Sequence, residues 1–202
     1  MKQAKEEGTE VKAVMDYCKE KMNICVTEEQ LENIAALKVA MRRLADQYGC
    51  NAVAIQCWNA LQGELGIMPC AANSLLNEEG LPVVCETDIH GAITAVMAEA
   101  ADLNRTPSFF ADWTVRYPDN ENGELLQHCG PWPLSCAGEK PTIGMPLAFD
   151  YPGAVAAEAK HGLVTLCRFD GDNGEYSLLL GTAKGIDGPY TKGTYLWVEV
   201  EN

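Results

Sequence analysis

The first half of the chain alternates between segments with helical periodicity and short apolar runs. Apolar residues recur at helical spacing over 4–22. A second helix is predicted to begin after Thr27, because Thr27 and Gln30 can form a capping box in which each side chain binds a backbone amide of the other residue. Its apolar residues keep helical spacing up to Gly49, and glycine is a residue type that commonly ends helices.

Three short apolar runs then indicate buried strands separated by helical segments. This alternation predicts βαβ units, and therefore a mostly parallel sheet covered by helices. The strands are predicted at Asn51–Trp58, Leu81–Cys85 and Pro107–Ala111. The helices are predicted at 68–77, ending at Gly80, and from Asp88 to about Leu103, with Thr87 or Asp88 as the cap.

The pattern changes after about residue 115, where prolines and glycines become frequent and helical periodicity disappears. Apolar runs separated by turn residues are typical of short antiparallel strands. The predicted strands are Leu163–Phe169, Tyr176–Leu180 and Thr194–Val200, with a turn at Gly171–Gly174. We therefore predict an α/β protein with a parallel-sheet, helix-covered domain over 1–130 and a smaller antiparallel β-sandwich or barrel over 131–202.

Composition limits the kinds of molecule that the chain is expected to bind and the compartment in which it is expected to work. Fifteen Lys and Arg residues against 29 Asp and Glu residues give a net charge of −14, which repels nucleic-acid phosphates, so no nucleic-acid partner is expected. The charged N-terminus has no signal-peptide pattern, and no apolar run approaches the ~20 residues of a membrane span. Nine cysteines without Cys-x-x-Cys spacing argue against a disulfide scaffold and a zinc knuckle, and favour a cytoplasmic location.

Two carboxylates and an imidazole are the candidates for chemistry. Glu86 and Asp112 each directly follow a predicted strand, and ligands of open α/β sheets bind at the carboxyl ends of strands. With His128, which follows another apolar run, they are suitable ligands for a divalent cation such as Mn²⁺. Each also has a structural interpretation: Glu86 as a residue at a helix start, Asp112 as a turn residue, and His128 as a hydrogen-bonded packing residue.

The segment Gly80–Ala92, GLPVVCETDIHGA, resembles the L-fucose/L-arabinose isomerase family. The resemblance covers nearly the whole chain from about residue 50, and its central motif is specific. Further matching segments, in the expected order, are Ala54–Trp58, Gly66–Cys70, Phe110–Trp113, Gln127–Gly130 and Gly188–Tyr195.

This resemblance implies a metal-dependent aldose–ketose isomerase that acts on a monosaccharide through an enediolate. By motif, Glu86 and Asp112 take the places of the acid/base residues, and together with His128 they are expected to bind the metal, most often Mn²⁺. Gln56 and Trp58, which follow the first predicted strand, and Trp113 are expected to bind substrate. His90 is a further candidate, because it lies four residues after Glu86 and would share a helix face with it; the alternative for His90 is packing.

The resemblance also implies a larger assembly. Family members have an additional α/β domain before this region and a later segment that supplies a further metal-site histidine, and neighbouring subunits complete their sites. We therefore expect a homo-oligomer, and weak or no activity from these 202 residues alone. The alternatives are a non-catalytic sugar- or metal-binding module that needs a partner chain, and a structural protein in which the acids only cap helices.

Overall fold

A computed structural model describes residues 1–148 and 150–201 of the chain. Helices dominate its first half and strands its second, so the predicted α/β class is confirmed. The helices are α1 (Lys2–Glu7), α2 (Thr9–Lys21), α3 (Glu28–Tyr48), α4 (Ala60–Leu65), α5 (Cys70–Glu78) and α6 (Ile89–Ala101). The strands are β1 (Asn23–Ile24), β2 (Val53–Ala54), β3 (Val83–Val84), β4 (Asp112–Arg116), β5 (Gly123–His128), β6 (Thr142–Gly144), β7 (Ala154–Glu158), β8 (Leu163–Asp172), β9 (Glu175–Ile186) and β10 (Thr194–Val200).

The helix boundaries follow the local sequence signals closely. Thr27 accepts a hydrogen bond from the Gln30 amide, and the Gln30 side chain accepts one from the Thr27 amide, so the predicted capping box is confirmed. Gly49 ends α3 in the left-handed conformation. The helix predicted over 4–22 is instead divided into α1 and α2, because Gly8 between them has a φ of 68°.

The strands form two sheets. The larger has the order β1-β6-β7-β10-β5-β4, and the β8–β9 hairpin joins it through β9, which pairs with β10. Within it β1–β6 and β7–β10 are parallel and the other pairs are antiparallel. The smaller sheet is the parallel pair β2–β3. The domain division at residue 130 stays a prediction; β5 and β10, from either side of that residue, are paired.

The long hairpin confirms the predicted antiparallel strands of the second half. Its strands β8 and β9 pair over ten positions, from Leu163 opposite Lys184 to Asp172 opposite Glu175. Asn173 and Gly174 connect them with φ values of 50° and 85°. Two successive residues with positive φ are typical of the tight turns that match the twist of a hairpin.

One predicted strand is wrong, and the structure decides between the two candidate caps of α6. The segment Pro107–Ala111 is not a strand, because its polar groups bind side chains: Glu99 accepts from the Ser108 amide and hydroxyl, and the Phe110 carbonyl accepts from the Trp132 indole. The strand begins at Asp112 instead. The cap of α6 is Asp88 rather than Thr87, since the Asp88 carboxylate accepts from the Gly91 amide at 2.9 Å.

The main apolar core lies between the long helices and the short strands beside them. A second cluster packs on the large sheet, around Leu126, Trp132, Leu196 and Val198. The main core contains Cys18, Met22, Leu31, Ile34, Leu37, Met41, Ala45, Ile67, Ala71, Ala72, Leu75, Leu76, Leu81, Val83, Ile143 and Val155.

None of the helices in the described ranges combines the length and apolar character needed to cross a membrane.

Helix α5 is buried but presents polar side chains to two different chain segments. The Asn77 side chain accepts from the Val83 amide at 2.7 Å and donates to the carbonyls of Val83 and Pro131. Ser74 donates to the Trp132 carbonyl. One face of this helix therefore joins β3 to the segment that follows β5.

We predict that Asn77→Ala lowers the free energy of unfolding by about 1–3 kcal/mol, because the buried Val83 amide loses its acceptor. Urea denaturation measures the change. The exposed Asn122 provides the matched control, and Asn122→Ala should change stability by less than about 0.5 kcal/mol. Equal effects of the two substitutions would contradict the role given to Asn77.

Candidate active site

Glu86 occupies a tight turn at the carboxyl end of β3, as predicted. Glu86 and Thr87 have φ values of 55° and 56°, a region that residues other than glycine seldom adopt. Two hydrogen bonds hold this turn: the Asp88 amide donates to the Cys85 carbonyl at 3.1 Å, and the Thr87 amide donates to the Ile55 carbonyl at 3.0 Å. The turn is therefore fastened to the segment that follows β2.

The two oxygens of the Glu86 carboxylate have different partners. Oε1 accepts a hydrogen bond from the Trp58 indole at 3.0 Å and one from the Cys57 thiol at 3.3 Å. Oε2 lies 3.5 Å from Nε2 of His128. The carboxylate thus bridges the end of the small sheet and the end of β5.

These contacts shift the pKa of Glu86. Burial of the carboxyl would raise its pKa, but the hydrogen bond and charge of His128 and the hydrogen bonds from Cys57 and Trp58 outweigh that effect and lower the pKa below its usual value of 4.5. The ionised form therefore favours the folded state, and this contribution is lost as the pH falls through the folded-state pKa.

Asp112 is electrostatically close to the same group, although it opens strand β4 rather than following a strand. The residue as a whole is exposed, but loss of solvent around its carboxyl raises its pKa. His128 opposes that shift, and the negative charge of Glu86 adds to it. The pKa values of the two acids are therefore shifted in opposite directions.

His128 ends β5 and is buried, with 6% of its side chain exposed. Its Nε2 faces Glu86, while its Nδ1 is buried without a hydrogen-bond partner in the described part of the chain. The Phe110 ring packs against the imidazole at a centroid distance of 5.3 Å. His128 therefore directs Nε2 toward the acid pair, while the rest of its ring is enclosed by protein.

Of the four predicted substrate residues, two lie beside Glu86. Trp58 donates to it, and Gln56 accepts from the hydroxyl of Thr87, the next residue in the turn. Trp113 is exposed on β4.

His90 lies instead where α6 meets β8. Its Nδ1 is 2.9 Å from the Asp170 carboxylate, and its ring meets that of Phe169 edge to face. Nearby, Asp88 pairs with Arg168 of the same strand. The described contacts of His90 therefore join the helix to the hairpin, and its substrate role stays a prediction.

Two buried thiols, which the sequence patterns did not single out, also belong to this site. In the described part of the chain, Cys57, Cys85 and Glu86 are the one set of three potential metal ligands whose ligand atoms all lie within 4.8 Å of one another. The predicted trio of Glu86, Asp112 and His128 does not meet that distance. A hydrogen bond between the two thiols lowers the pKa of Cys57 and raises that of Cys85. Their positions in the sequence could have identified them, because each cysteine closely follows one of the two paired strands, β2 or β3.

We predict that Glu86→Gln lowers the pKa of Asp112, because the charge of Glu86 raises it in the native protein. The pKa should remain above its usual 3.8, since burial is the larger cause. Carbon-13 NMR titration of labelled aspartate carboxyls measures the shift. Glu175→Gln, on the exposed hairpin, is the control and should leave Asp112 unchanged. An unchanged Asp112 pKa in Glu86→Gln would show that the two acids are not coupled.

The chain is similar to several proteins named sulfoquinovose isomerase. It is 29% identical over 163 residues to that of Alkalicoccus urumqiensis, a match covering 79% of this chain and 36% of the relative. It is 27% identical over 183 residues to those of Priestia aryabhattai and Priestia megaterium, covering 86% of this chain and 39% of each relative. The chain thus spans well under half the length of these proteins. No protein-family model matches it. These similarities relate the chain to sugar isomerases.

Proposed function

We propose that this chain carries the acid pair of a metal-dependent aldose–ketose isomerase of the L-fucose/L-arabinose isomerase type. The observation that carries the proposal is the convergence of Trp58, Cys57 and His128 on the Glu86 carboxylate, in a chain similar to sugar isomerases. A packing or capping role does not account for this arrangement, because Asp88, and not Glu86, caps the following helix.

The donor types suit Mn²⁺, although the three ligand atoms do not all lie within 4.8 Å of one another in this structure. Carboxylate oxygens and an imidazole nitrogen are ligands that this ion accepts, and Glu86, Asp112 and His128 are the residues that would hold it. The 3.5 Å between Glu86 Oε2 and His128 Nε2 allows both atoms to face a common ligand. When bound, the ion would act as a Lewis acid toward the sugar oxygens.

The protein groups have separate tasks in the proposed reaction. Glu86, which is ionised because its pKa is lowered, removes a proton from the carbon beside the sugar carbonyl and returns it to the neighbouring carbon. Asp112, whose pKa is raised by loss of solvent around its carboxyl, is the second acid/base group beside Glu86. The Trp58 indole fixes the direction of the Glu86 carboxylate through its hydrogen bond.

The proposed substrate is a monosaccharide in its open-chain aldose or ketose form. The relatives are named for sulfoquinovose, and the resemblance of the Gly80–Ala92 segment points to L-fucose or L-arabinose. These sugars differ by a few substituents, and pocket contacts to such groups are worth only about 1–3 kcal/mol. A panel containing all three is therefore the appropriate test of substrate.

We predict that the chain binds Mn²⁺ and that Glu86→Gln weakens binding by at least about tenfold, because a charged ligand is lost. Asp112→Asn should also weaken it. Electron paramagnetic resonance of free Mn²⁺ gives the bound fraction. Glu175→Gln, which removes the same charge from the exposed hairpin, should bind like the native chain. Equal loss in the control and in Glu86→Gln would indicate general attraction by an acidic surface.

We further predict slow aldose–ketose conversion by the chain with Mn²⁺, falling by about 10²–10⁴-fold in Glu86→Gln as expected for loss of an acid/base group. In D₂O, an enediolate route incorporates solvent deuterium into the product, which mass spectrometry detects. Turnover that survives Glu86→Gln would contradict the assignment of the base. Sugar binding without any turnover would favour the alternative of a non-catalytic module that needs a partner chain.

A further inference from the structure

The thiols beside Glu86 form a compact donor cluster with a different chemical character from the acid pair. The Cys57 thiol is 3.3 Å from Glu86 Oε1, and the ligand atoms of Cys57, Cys85 and Glu86 all lie within 4.8 Å of one another. Both cysteines are almost fully buried, with 3% and 1% exposure, whereas 42% of the Glu86 side chain is exposed. The cluster is therefore enclosed on its sulfur side and reachable from solvent past the carboxylate.

The backbone explains why these three groups meet. Strands β2 and β3 are parallel and in register, with Ala54 opposite Val84. The pairing continues beyond the regular strands, since the Ile55 amide donates to the Val84 carbonyl and the Thr87 amide donates to the Ile55 carbonyl. Cys57 and Cys85 therefore leave the same edge of the small sheet, and the left-handed turn brings the carboxylate of Glu86 back toward them.

A second buried residue supports the geometry. Asn73 of α5 is completely buried, and its amide nitrogen lies 3.7 Å from the Cys85 sulfur as a hydrogen-bond donor. Its Oδ1 has no hydrogen-bond partner in the described part of the chain. A donor held against a cysteine sulfur is the arrangement that surrounds metal-bound thiolates, where outer hydrogen bonds fix and stabilise the ligand.

We propose that Cys57, Cys85 and Glu86 form a binding site for a thiophilic divalent cation of the Zn²⁺ or Cd²⁺ class. Two sulfurs and one carboxylate oxygen supply three of the four ligands of a tetrahedral site, which leaves one position for water. Thiolate ligands select such ions over Mn²⁺ and Mg²⁺, which prefer oxygen donors.

This site does not depend on the proposed isomerase activity, but it shares one residue with it. Oε1 of Glu86 faces Cys57, whereas Oε2 faces His128. An ion bound by the thiols would therefore be coordinated by the same carboxylate that belongs to the acid pair. A thiophilic ion and Mn²⁺ should compete, although only the thiophilic ion contacts sulfur.

Cadmium titration of the whole chain tests the site, because thiolate-to-cadmium charge transfer absorbs in the ultraviolet. We expect one strongly bound ion per chain. Cys57→Ser and Cys85→Ser should each reduce the saturated band by about half, since one of two thiolates is lost, and weaken binding by at least about tenfold. The exposed Cys25 provides the matched control, and Cys25→Ser should leave both quantities unchanged.

Two further measurements separate the outcomes. X-ray absorption of the native zinc complex should show two sulfur neighbours at about 2.3 Å, a test that needs no folded variant. Glu86→Gln should weaken the binding of both ions, because the two sites share its carboxylate. Zinc without sulfur neighbours, or a cadmium band that is undiminished in both Cys57→Ser and Cys85→Ser, would overturn the proposal whether or not Mn²⁺ binds.

Discussion

The arrangement of the candidate site depends on the need to pair polar groups that are buried on helix α5. Asn77 is almost fully buried, so its amide must bind within the protein, and it binds Val83 and Pro131 at once. Val83 leads into the Glu86 turn, and Pro131 follows His128 by three residues. One fully paired side chain therefore fixes the separation of the two segments that supply the carboxylate and the imidazole.

A close backbone contact supports the same separation. Gly130 has a φ of 120°, and a side-chain carbon there would lie 2.7 Å from the Val155 amide nitrogen. The absence of a side chain lets the segment after β5 lie directly on β7, with the Val155 amide donating to the Cys129 carbonyl at 3.2 Å. Polar pairing on one side and close packing on the other leave His128 little freedom to move from Glu86.

Sequence patterns predicted the parts of this structure that local physics determines. The capping box at Thr27, the glycine end of α3 and the Asn173-Gly174 turn depend on neighbouring residues alone, and all three are present. Glu86 could be placed because it directly follows a buried apolar run. Asp112 was predicted from a strand over Pro107–Ala111 that the structure does not contain. The side chains of Glu99 and Trp132 bind the backbone groups that this strand would have used for pairing.

The thiols show the limit of reading residues one at a time. Cys57 and Cys85 lie in apolar runs, where a cysteine usually packs as a small hydrophobic residue. Their meeting depends on the register of two strands separated by two helices, which periodicity does not specify. For His90 the sequence did suggest a neighbour, because its spacing from Glu86 predicts a shared helix face. In the structure its partner is instead Asp170 of the hairpin.

The left-handed turn at Glu86 and Thr87 has a consequence for engineering. Residues other than glycine in this conformation cost on the order of 1–3 kcal/mol each, and threonine, being branched, is poorly suited to it. A search for heat-resistant variants would therefore favour glycine at this turn. The same exchange would loosen the chain directly beside the carboxylate, so thermal tolerance and precise placement of Glu86 are opposing demands on two adjacent residues.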